Sequence, residues 1–165
     1  MGTGFYGGFG LTSGSGIIVS FKLGLLSGHS KNYTREDLLN YIDGVTCEST
    51  EIAKAIREGK IKVNVLGDHL FEEYLGVSRD TVALAVGNQI YIRNSSISIY
   101  SDLVHEGIHA KDYLSGIKEE EISSVSGEIR AYSAERRFQI AKGIHVEYEN
   151  EEDMLVHIWM NYKRR

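Results

Sequence analysis

A single cysteine, Cys47, rules out an internal disulfide, so this chain holds together by packing, by a bound metal, or by both. Its 165 residues suit one domain with a proper core, and 42% hydrophobic against 25% charged residues is a globular balance. The 18 Lys+Arg against 23 Asp+Glu leave a formal charge of -5, so no overall basic field points to nucleic acid or an anionic membrane. The apolar run Ile17 to Leu26 is broken by Ser20, Lys22 and Gly24 and is too short for a bilayer span. No Lys or Arg precedes Lys22, which argues against a secretory signal, and Tyr6 stands where a myristoylation signal needs Ser or Thr. The expectation is a chain with no membrane span and no nucleic-acid partner.

Half of the 18 glycines fall within residues 1–28, which sets this stretch apart as a linker followed by a strand over Gly16 to Leu23. A compact domain is expected over residues 29–165. With no proline in the chain, boundaries are read from Gly, Asn, Asp and Ser. Thr34 caps a helix to about Ile42, Thr50 to Glu58 reads as a second, and Asp68 caps a short one ending before Gly76. Ile61 to Val65 alternates like a strand. Thr81 to Val86 and Gln89 to Arg93 form a hairpin joined by Gly87-Asn88, with a further short strand over Ile97 to Tyr100. Beyond Ser101 the pattern turns helical: Asp102 to Leu114, Ser126 to Lys142 closed by Gly143, and Glu152 to Tyr162. The fold class is α+β, a small mixed or antiparallel sheet packed on helices.

The segment His105-Glu106-Gly107-Ile108-His109 has the pattern H-E-x-x-H inside one of these helices. At 3.6 residues per turn its two histidines share a face and can both reach one zinc ion. With 6 histidines in the chain, chance supplies about 0.02 such matches. Glu106 is then the group that takes a proton from zinc-bound water and hands it to the leaving amine.

A catalytic zinc needs a third protein ligand. In the following helix Glu128, Ala131, Glu135 and Phe138 fall on one stripe, which Ala131 and Phe138 mark as buried. Two carboxylates there demand a cation, which zinc at Glu128 and a basic or hydrogen-bonding partner at Glu135 would supply. His145, His157 and the Glu119-Glu120-Glu121 run are the alternative ligands. The extended pattern with a third histidine fails, since Asp112 and Ser115 stand where it needs Gly and His. Asp112 is a candidate to accept the second ring proton of His109. Tyr132, His145, Tyr148 and His157 are candidate donors to an oxyanion. If the hairpin is an exposed edge, one of its strands could take an extended peptide by strand addition.

Leu103-Val104-His105-Glu106-Gly107-Ile108-His109-Ala110 and Gly127-Glu128-Ile129-Arg130-Ala131-Tyr132 together resemble a zincin metallopeptidase of the gluzincin kind, over roughly residues 97–142. The resemblance implies a small α+β domain with Zn2+ on His105, His109 and Glu128 and with Glu106 as general base. More narrowly, H-E-x-x-H-A-x-D-Y followed by G-E-I-R-A-Y is similar to metallopeptidase toxin domains at the C-terminal ends of bacterial polymorphic and Rhs-type proteins. That likeness implies a protein or peptide substrate in another cell, a cognate immunity protein, and delivery as part of a larger secreted protein. Alternatives are a cytoplasmic housekeeping or regulatory peptidase of the same fold and a non-catalytic zinc-stabilised binding module. Two positions depart from the family: Tyr132 replaces the acid that many gluzincins carry four residues after the ligand glutamate, and Lys111 replaces an apolar residue.

Overall fold

A computed structural model describes residues 20–29 and 31–163. It contains β1 (Ser20–Leu23), α1 (Arg35–Ile42), α2 (Cys47–Arg57), β2 (Lys62–Leu66), α3 (Asp68–Leu75), β3 (Thr81–Val86), β4 (Gln89–Arg93), α4 (Ile99–Leu114), α5 (Glu119–Ile122), α6 (Val125–Lys142) and α7 (Glu151–Tyr162). The fold is mixed α+β with a four-stranded sheet in the order β1-β3-β4-β2. β3 pairs antiparallel with both β1 and β4, and β4 pairs parallel with β2. None of the described helices is long and apolar enough to cross a membrane.

Local chemistry sets most boundaries. Thr34 and Thr46 build reciprocal capping boxes at α1 and α2, and Ser124 and Asn150 cap α6 and α7. Because Thr46 is the cap, α2 begins at Cys47 rather than at the expected Thr50. Asp68 is the first residue of α3 and not its cap; Gly67 holds that place, while the Asp68 carboxylate accepts from the Ser95 hydroxyl. The hairpin turns at Gly87 with φ +59°, as its Gly-Asn pair requires.

Two expectations are corrected. The hairpin strands β3 and β4 are central and the sheet edges are β1 and β2, so neither hairpin strand is an exposed edge. Ile97 to Tyr100 is not a strand: Ser96 and Ser98 donate their hydroxyls to the buried Asp102 carboxylate, which turns the chain into α4 at Ile99. Within the stretch expected to hold a linker and a strand, Ser20–Leu23 is the strand β1, hydrogen-bonded to β3. The other residues expected in that strand, 16–19, lie outside the described residues, as do the glycines before them. The acidic run Glu119-Glu120-Glu121 forms the short helix α5, its side chains largely solvated.

At the centre lies α4, packed on β3 and β4, on α2 and, most extensively, on α6. Leu103, Val104, Ile108 and Ala110 join Ile52, Ala83, Ile92, Ala131 and Phe138 in the main core. Two glycines permit this closeness. A Cβ on Gly107 would sit 2.7 Å from Ile52 side-chain carbons, and one on Gly127 would collide with the Ile122 carbonyl oxygen. A side chain can shift, whereas a backbone carbonyl that ends a helix cannot move cheaply. Gly127→Ala is therefore expected to destabilise by about 3 kcal/mol or more, and Gly107→Ala by about 1–2 kcal/mol, the latter eased by Ile52→Val. Urea unfolding of the single and double variants checks the order and the rescue.

Candidate metal centre

Along α4, Asp102, His105, Glu106 and His109 recur at i, i+3, i+4 and i+7, one polar stripe on a helix whose other residues from Leu103 to Ala110 are apolar or glycine. The stripe faces α6, and its four side chains are fully buried, as are Glu128 and Glu135 of that helix. Among the described residues the buried side chains thus comprise four carboxylates, namely Asp102, Glu106, Glu128 and Glu135, against one ammonium, that of Lys22. The remaining buried cation, Arg93, is taken up by Glu72 and by the carbonyls of Thr81 and Ser78. Carboxylates removed from water need further positive charge beside them.

His105, His109 and Glu128 converge at that place. His105 Nε2 lies 3.3 Å from His109 Nε2 and 3.4 Å from Glu128 Oε2, and His109 Nε2 lies 3.7 Å from the same oxygen. A tetrahedral ion with bonds of about 2.0–2.1 Å sets its ligands roughly 3.3–3.4 Å apart, so this spacing fits a small divalent metal. The group is the set of three or more His, Cys, Asp or Glu donors found close enough together among the described residues.

Behind the donors, Glu135 Oε2 accepts from His105 Nδ1 at 3.0 Å, which directs Nε2 toward Glu128. Glu135 Oε1 accepts from Lys22 and from Gln139. Tyr132 lays its ring edgewise against His105 with centroids 4.5 Å apart.

Protonation follows from this enclosure. Burial opposes a charge on His105, but hydrogen bonds to Glu128 and Glu135 overcome it and raise its pKa to about 10. Glu128, although buried, is held well below the usual carboxylate range by His109 and His105. Burial drives Glu106 up to about 8, the charge on His105 countering only part of that. Burial keeps His157 below the ordinary histidine value and pushes Tyr132 and Tyr148 up.

Of the remaining expected residues, Tyr132, Tyr148 and His157 form one aromatic cluster, with Tyr132–Tyr148, Tyr148–His157 and Tyr132–His157 centroids 5.8, 5.2 and 5.7 Å apart. Asp112 does not orient His109: its carboxylate binds Arg130 at 2.8 Å, and His109 Nδ1 has no hydrogen-bond partner. His145 is exposed and lines a separate cavity of about 400 Å3 beside Lys22 and Tyr41. It is not gathered into the cluster. His29 and His69 are exposed and bind only Ser27 and Glu73.

Two residues of the centre escape the sequence reading. Asp102 is visible in hindsight as the first member of the polar stripe on α4. Lys22 carries no such signal beyond being a lone charge in an apolar run. Comparison of the sequence with protein-family models and curated proteins, and of the fold with solved structures, finds no match.

Protein purified without added metal is expected to carry about one divalent ion per chain by elemental analysis, and Glu128→Ala to lose most of it. Added at 100 times its Kd, the metal should stabilise the wild type by about 2.7 kcal/mol in thermal unfolding and Glu128→Ala far less.

Proposed function

We propose that this chain is a zinc-dependent metallopeptidase, with zinc on His105, His109 and Glu128 and with Glu106 as general base. The observation that carries the reading is the state of Glu106. It is fully buried, yet neither of its carboxylate oxygens has a hydrogen-bond partner among the described residues. Buried carboxylates with a purely structural role are hydrogen-bonded, so one left open beside a donor set of this spacing has its lone pairs available for chemistry.

Zinc, when bound, supplies a Lewis acid that polarises a carbonyl and makes water more acidic. Glu106 takes the proton of the attacking water and returns it to the amide nitrogen as the peptide bond breaks. A carboxyl group lifted toward neutrality by its surroundings is suited to both transfers near pH 7. Glu135 holds His105 in the tautomer that leaves Nε2 free for the metal. His157, held below the ordinary histidine value by burial and joined to His105 through the Tyr132 ring, is the donor the proposal assigns to the developing oxyanion.

The likeness to toxin domains extends the proposal to a substrate protein in another bacterial cell, with a cognate immunity protein as partner. A zinc-stabilised binding module would have no use for an open carboxylate at Glu106, which disfavours that alternative.

Glu106→Gln is expected to keep its zinc while losing about 10²–10⁴-fold in kcat/KM against a cleaved protein substrate. Expressed in a bacterial cytoplasm, the wild type should arrest growth where Glu106→Gln does not. A variant that loses zinc and fold together would show a structural role for Glu106 instead.

A further inference from the structure

We infer that Lys22 is a positioning residue of the metal centre, acting on His105 through Glu135, an inference that rests on the metal site of the reading above. Lys22 lies on β1, which supplies one edge of the sheet, in the stretch the glycine count sets apart from the domain. Its register partner is Ala83, whose side chain belongs to the main core. Residues opposite one another on paired strands share a face, so Lys22 projects inward over a small neighbour toward α4 and α6. A charge turned inward on an edge strand is also a known guard against edge-to-edge pairing, but that task needs no particular partner. Here the partners are specific.

The Lys22 ammonium binds Glu135 Oε1 and, at 2.9 Å, Asp102 Oδ1, with Glu147 Oε2 at 3.9 Å. Glu135 then uses its other oxygen on His105 Nδ1. The connection therefore runs from β1 through Glu135 to a ligand imidazole, with Lys22 and Gln139 on one Glu135 oxygen and His105 on the other. Without Lys22, Gln139 alone would hold Oε1, and Glu135 would be free to turn away and lose its hold on His105. Lys22 also joins α4 to α6, since its two nearest carboxylates come one from each helix. The metal centre thus includes a side chain more than 80 residues before the H-E-x-x-H pattern.

The test uses the full chain, with zinc affinity measured against a chromophoric chelator and the visible absorption of the cobalt(II)-loaded protein read in parallel. Lys22→Met and Glu135→Gln should each weaken zinc by about 10–100-fold and alter the cobalt spectrum, with Lys22→Arg restoring most of the affinity. Adding Lys22→Met to Glu135→Gln should weaken zinc by less than about twofold more, because the path runs through Glu135. If Lys22→Met lowers the thermal midpoint but leaves zinc affinity and cobalt spectrum as in the wild type, Lys22 is only a structural ion pair and the inference falls. Should Lys22→Met not fold, Lys22→Gln replaces it: zinc affinity and cobalt spectrum altered as in Glu135→Gln support the inference, and wild-type values overturn it. A wild type that binds no zinc overturns the metal reading itself, an outcome distinct from a zinc-binding wild type matched by its Lys22 variants.

Discussion

Four carboxylates enclosed between two helices are the constraint on which the rest of this structure depends. Asp102 and Glu106 come from α4, Glu128 and Glu135 from α6, and all four are withdrawn from water. Left uncompensated, such a cluster would drive the helices apart. Lys22 answers Asp102 and Glu135 from the sheet edge, and His105 and His109 answer Glu128. The same contacts that neutralise the charges also aim three donor atoms at one point. Stability and site geometry are in this sense one arrangement.

The surrounding architecture serves the closeness of α4 and α6. Gly107 lets α4 lie against α2, and Gly127 lets α6 begin directly beneath the end of α5. Asp102 gathers Ser96 and Ser98 at the start of α4, so a helix of 16 residues begins where the apolar run alone suggests a strand. Glu135 accepts from His105 on one side, while the Tyr132 ring lies against His105 and links it to the Tyr148–His157 cluster.

Much of this is written locally. Capping residues, glycine stops, the Gly87-Asn88 turn and the 3.6-residue spacing of His105 and His109 are short-range signals, and each acts on backbone a few residues away. The stripe holding Glu128 and Glu135 beside Ala131 and Phe138 is equally local, and it implied buried carboxylates in need of a cation. Those signals determined the helices, the hairpin, the α+β class and the candidate donors. Tertiary structure alone decided which strands form the edges, that Asp112 goes to Arg130 rather than to His109, that His145 stands apart, and that Lys22 enters the centre. Each of these is a choice among partners distant in sequence, set by which faces of the sheet and helices meet, and no periodicity along the chain encodes the far side of a contact.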